Sequence, residues 1–167
     1  MTHQTLDQLV QQEEKPIKEK VVDTLGNITY SLIVGSGLDY FAGLNCEGIV
    51  ASRTSATGLN LLTGALYGMW RDLAFRVTKT TKDSNGTRKY LTDLLAFNTF
   101  QVPVYAAAVA VGSFFSEGKV NWEKVQHGAE YLALISPFIG PTMGWYMDRV
   151  RQVFDVKTAP EKADVQK

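Results

Sequence analysis

The chain has 167 residues, enough for one domain, and balances 17 Lys+Arg against 17 Asp+Glu, so it offers no net field to attract nucleic acid. A single cysteine, Cys46, and two distant histidines, His3 and His127, exclude a disulfide framework and a Cys- or His-built metal centre; no metal, cofactor or nucleic acid is expected. A mean hydropathy of −0.09 would suit a soluble protein, but the average conceals an uneven distribution.

In chain order, residues 1–20 come first. They are polar, with Glu13, Glu14 and Glu19 where a signal peptide needs an apolar core, and they read as a cytoplasmic tail holding at most a short helix. Charged residues then bracket four uncharged runs, 24–38, 54–70, 94–116 and 131–147, of 15, 17, 23 and 17 residues. A membrane helix needs about 20 mostly apolar residues, which the third run supplies alone and the others reach with flanking residues. The predicted spans are 22–42, 52–71, 93–115 and 128–148, within a membrane domain of 21–156. Residues 157–167 read as a second, disordered cytoplasmic tail. A soluble four-helix bundle also produces runs of 15 to 17, but its helices carry charge every three or four residues on the wet face, and these do not.

Lys and Arg are sorted along the chain. Residues 1–23, 71–93 and 148–167 hold three, six and five, whereas 39–53 and 117–130 hold one and two. That alternation predicts an all-α integral membrane protein of four transmembrane helices with both termini cytoplasmic, and a soluble bundle has no reason to show it. Tyr40, Phe41, Tyr67, Trp70, Phe114, Phe115, Tyr131, Trp145 and Tyr146 fall near the run ends, where headgroups would lie.

Aligning Asp23 with Asp93 sets Thr29 on Thr99 and Tyr30 on Phe100; aligning Asp72 with Asp148 sets Gly64 and Gly68 on Gly140 and Gly144. The offsets, 70 and 76, suggest a parallel repeat of a helical hairpin. Gly64-x-x-x-Gly68 and Gly140-x-x-x-Gly144 let helix backbones approach closely, within one chain or between chains.

Polar residues inside the runs are candidates for a solute passage. On the third run Asn98, Gln101 and Tyr105 share a face, and Pro103, lacking an N–H, frees the Thr99 carbonyl for an ammonium group. Pro137 and Pro141 similarly free the carbonyls of Ala133 and Pro137. Arg53, one and two turns before Thr57 and Asn60, suits a carboxylate. Each has a second reading, as interhelical tie or interfacial cation. Asp23 and Asp93 begin spans, where the helix dipole favours acids, while Asp72 and Asp148 end spans and need compensation from Arg71, Arg76, Arg149 or Arg151. These four acids and Asp39 are the candidates for carrying a proton.

At Tyr67-Gly-Met-Trp-Arg-Asp-Leu73 and Asp93-Leu-Leu-Ala-Phe-Asn-Thr-Phe-Gln-Val-Pro-Val-Tyr105 the chain resembles the bacterial L-alanine exporter family (AlaE type). The likeness extends through Val22-Asp23-Thr24, Ser52-Arg53 with Asn60, and Gly140 to Gly144 followed by Asp148. It implies a multi-pass protein of the bacterial cytoplasmic membrane that exports L-alanine on the proton-motive force, as a homo-oligomer through its glycine motif. The matching positions that can bear function are Asp23, Arg53, Asn60, Tyr67, Arg71, Asp72, Asp93, Gln101, Pro103, Tyr105, Gly140, Gly144 and Asp148. The longer polar N-terminal segment and residues 39–52 depart from the family pattern. On this reading the partners are L-alanine, protons and lipid. Arg53, Asn60, Asn98, Thr99, Gln101 and Tyr105 contact the solute; Asp23, Asp39, Asp72, Asp93 and Asp148 handle protons; Gly64, Gly68, Gly140 and Gly144 pack helices. A non-transporting membrane scaffold is the alternative from another class. An enzyme is disfavoured because no nucleophile–base pair or phosphate loop stands out.

Overall fold

A computed structural model describes residues 3–41 and 46–164, with side chains from position 16 onward except at 38, 39, 41, 48, 51, 52, 108, 112, 113, 115, 116, 117 and 124. Among the described residues all regular structure is helical: α1 His3–Phe41, α2 Cys46–Val77, α3 Gly86–Glu117, α4 Trp122–Val153 and the short α5 Ala159–Asp164. Helices α2, α3 and α4 each have 32 residues, about 48 Å at 1.5 Å per residue, longer than the roughly 30 Å of a bilayer core. Among the described residues one segment, Gly86–Val111 of α3, is by itself long and apolar enough to cross a membrane. In the other long helices, polar and charged residues dilute the mean hydropathy of any long window.

Both expected tails differ in the structure. Residues 3–20 are the first half of α1, which continues through Pro16. Gln, Glu and Lys are good helix formers, so their charge sets them apart from the apolar run without stopping the helix. At the other end, Ala159–Asp164 fold into α5, with Pro160 near its start, where the missing N–H costs nothing. Ala159 and Ala163, one turn apart, are buried against Phe75 of α2.

The chain forms two compact units. The first comprises Met1–Met69 and Tyr146–Thr158, the second Trp70–Trp145 and Ala159–Lys167. In the first, α1 packs antiparallel on α2 along a glycine stripe: a Cβ on Gly64 would lie 2.8 Å from Thr24 Cα, and one on Gly68 would lie 1.9 Å from Asp23 Oδ2. In the second, α3 packs antiparallel on α4 in the same manner, with Gly140 against Phe97 and Leu94 and Gly144 against Asp93. A side chain at Gly64, Gly68 or Gly144 would force the neighbouring helix to shift, and one at Gly140 would press on Phe97.

The helix ends repeat the pattern. α2 and α4 each close with paired bonds of the Schellman type, Thr80 N–H to Phe75 O with Lys79 N–H to Arg76 O, and Val156 N–H to Arg151 O with Asp155 N–H to Gln152 O. The left-handed residues, Lys79 and Asp155, are 76 apart. Before α3, the Asn85 side chain accepts from Arg88 N–H as N-cap, and the hydroxyls of Thr78, Thr80 and Thr92 bond to one another.

Candidate functional site

Within the first unit, Arg151 of α4 is wholly buried and clasps Asp23 of α1 in two parallel bonds, Nε to Oδ1 at 2.7 Å and Nη2 to Oδ2 at 2.8 Å. The same Nη2 reaches the Gly68 carbonyl at 3.4 Å. One turn along α1 from Asp23, Asn27 is 2% exposed against Gly64, and its Nδ2 finds no hydrogen-bond partner among the described residues. Above them Tyr146 OH donates to Thr29 Oγ1 at 3.0 Å, and the Tyr30 and Tyr146 rings lie 5.6 Å apart.

The second unit holds a matching set. Arg71 of α2 is wholly buried, donates from Nε to Asp93 Oδ1 at 2.6 Å, and lies 4.8 Å from the Phe75 ring centroid. Trp70 Nε1 donates to Thr99 Oγ1 at 2.9 Å, as Tyr146 does to Thr29 seventy positions earlier; Trp70 and Tyr146 are themselves 76 apart. Asp23 and Asp93, Thr29 and Thr99, and the aligned glycines thus make matching contacts in each unit. The arginines stand one helical turn out of register, and Phe97 occupies the place of Asn27.

These contacts change the reading of the acids. Asp23 and Asp93 lie well inside helices that start at His3 and Gly86, so the N-terminal dipole is not what stabilises them; arginines are. Asp72 accepts from Lys162 of α5 at 2.6 Å. Asp148 is half-buried, and the side chain of Asp39 is outside the described residues.

The solute-contact candidates are distributed. In the first unit, Arg53 reaches from α2 to α1, donating to the Ser31 carbonyl at 2.9 Å and to Ser31 Oγ at 3.2 Å over Gly35; Asn60 is half-buried on the same helix. In the second, Asn98 Nδ2 donates to Ser136 Oγ at 2.8 Å and to the Leu94 carbonyl, tying α3 to α4. Tyr105 lies against Gly128, and Gln101 is half-buried. Of the proline-freed carbonyls, Ala133 O accepts from Ser136 Oγ at 2.7 Å and Pro137 O from Tyr90 OH at 2.8 Å, so hydroxyls hold the places expected for an ammonium. Asn27 and Ser136 did not stand out in the sequence, since a lone Asn or Ser in an apolar run carries no spacing signal; nor did Arg151 as partner of Asp23, 128 positions away.

The exposed side chains include Ile33, Leu62, Leu134 and Phe138, at 66 to 79%, while Asp23, Asn27, Arg71, Asp93 and Arg151 are buried. Among the described residues the fold is thus all-helical, with aliphatic side chains exposed and a glycine-seated acid–base pair buried in each unit. The chain belongs to the L-alanine exporter (AlaE) family, whose sequence model matches residues 12–157. A protein named L-alanine exporter AlaE from Escherichia coli (strain K12) is 30% identical over 141 residues, covering 84% of this chain and 90% of the relative. Proteins of the same name from Citrobacter koseri and Salmonella typhimurium are 30% and 29% identical over 144 residues, each covering 85% of this chain and 91% of the relative. No solved structure matches the chain significantly.

Proposed function

We propose that the protein exports L-alanine across the bacterial cytoplasmic membrane, driven by the proton-motive force. The observation that carries this reading is family membership over residues 12–157, joined to the burial of Asp23, Arg71, Asp93 and Arg151 beside exposed aliphatic side chains such as Leu62 and Leu134. On this proposal α1 to α4 each span the bilayer with both termini cytoplasmic, the membrane domain being residues 21–156 and the ends beyond it cytoplasmic. Four helices make a thin wall around a closed pathway, so the working form is a homo-oligomer. Arg53, Asn60, Asn98, Thr99, Gln101 and Tyr105 are polar stations for the solute; Asp23, Asp39, Asp72, Asp93 and Asp148 are the carboxylates from which proton coupling draws. Gly64, Gly68, Gly140 and Gly144 are seats for the helices of their own chain.

The test is efflux of labelled L-alanine from cells that accumulate it. Expression of the chain is expected to speed efflux several-fold, and a protonophore to abolish the gain. Equal efflux with and without the protein overturns the reading.

A further inference from the structure

The first unit holds a buried group that its counterpart in the second does not. At the position where Phe97 fills the space beside Gly140, Asn27 faces Gly64 with an amide donor that has no acceptor. A buried donor without a partner is unfavourable, and the second unit demonstrates that an apolar side chain satisfies the same packing. Asp23 and Asn27, at i and i+4, share one stripe of α1, facing Gly68 and Gly64 of α2, and Asp23 holds the guanidinium of Arg151. Together they present one carboxylate, one guanidinium and one unsatisfied amide N–H.

That set is complementary to a free amino acid. We propose that Asp23, Asn27 and Arg151 form the site for the backbone of a small zwitterionic amino acid, its ammonium replacing Arg151 at Asp23 and its carboxylate taking Arg151 together with Asn27 Nδ2. The proposal rests on the export reading and names where that substrate is held. The exchange trades one internal ion pair for two, so no charge is left uncompensated, and the amide gains the acceptor it lacks. The Asp93–Arg71 pair, with Phe97 in place of the amide, is the structural counterpart and is not a binding site.

Proteoliposomes containing the full chain test this, with L-alanine, propionate (no ammonium) and ethylamine (no carboxylate) as competitors of labelled L-alanine. Wild type is expected to be inhibited by L-alanine alone. Asn27→Leu is expected to raise the KM for L-alanine about tenfold with the maximal rate retained, and Asn27→Gln to recover part of the loss. Asp23→Asn is expected to remove the preference for L-alanine over propionate. A folded Asn27→Leu protein with wild-type KM, or a folded Asp23→Asn protein that still rejects propionate, overturns the site while leaving the export reading standing. Should Asn27→Leu fail to insert, Asn27→Met carries the same comparison. Wild-type vesicles that move no small zwitterion overturn both.

Discussion

At the scale of single residues, the glycines divide into those that seat a neighbour and those that do not. A methyl at Gly68 or Gly144 would collide with the carboxylate of Asp23 or Asp93, at 1.9 and 2.2 Å from the nearest atom, whereas among the described residues nothing lies within 4 Å of a methyl at Gly58. Gly68→Ala and Gly144→Ala are therefore expected to lower stability by about 1–3 kcal/mol each, through overpacking against a buried ion pair. Gly58→Ala is expected to be neutral or to gain up to about 1 kcal/mol from helix propensity, and thermal melts of the three variants in one detergent make the comparison. The left-handed Lys79 gives the opposite sign: Lys79→Gly relieves a conformation that side chains disfavour and is expected to raise the melting temperature by an amount worth about 1 kcal/mol. The glycine spacing was legible in the sequence because close helix approach demands small residues four apart. What the glycines seat was not, since no local pattern announces that Asp23 will meet an arginine 128 positions on.

At the scale of elements, the long helices were legible from the uncharged runs, and α5 was not. Its six residues are too few to show periodicity, and what makes them fold is Phe75, far away in the chain. The element is held by several contacts: Lys162 to Asp72 at 2.6 Å, Lys82 to Glu161 at 3.6 Å, and Lys82 N–H to the Asp164 carboxylate. The first of these is sheltered and the second is exposed, so most of the ionic contribution comes from Lys162. Ending the chain at Lys157 is expected to cost about 1.5–3 kcal/mol for the charged hydrogen bond alone, together with the apolar area lost from Phe75. With Cys46 replaced by Ala, a cysteine at position 75 should react with a water-soluble maleimide far faster in the truncated chain. Equal rates would mean that α5 does not cover it. The prolines of α4 teach a related lesson. The sequence reveals that they release carbonyls, but not that Ser136 and Tyr90 will satisfy them. Tyr90→Phe removes one of these bonds and is expected to cost about 1 kcal/mol.

At the scale of the whole molecule, polarity is the property that every proposal here depends on. In water, a helix turns leucine and phenylalanine inward and leaves arginine and aspartate outside, because apolar burial drives folding and buried charge opposes it. This chain buries charge and exposes aliphatic side chains together, with Arg71 and Arg151 at zero exposure and Leu62, Leu134 and Phe138 at least 75% exposed. In hydrocarbon the sign changes: exposed aliphatic side chains are solvated by lipid, and charges must find one another inside. On the proposed topology the sorting of Lys and Arg sets direction, with the basic residues of 71–93 on the cytoplasmic side and the sparsely basic 117–130 on the other. Reporter fusions at Lys82 and Val120 are accordingly expected to give opposite signals, phosphatase-active at Val120 and fluorescent at Lys82. The chain should also stay with the membrane pellet through alkaline washing. Fusions reporting the same compartment, or a monodisperse particle released without detergent, would mean that water surrounds those leucines and that some other partner covers them.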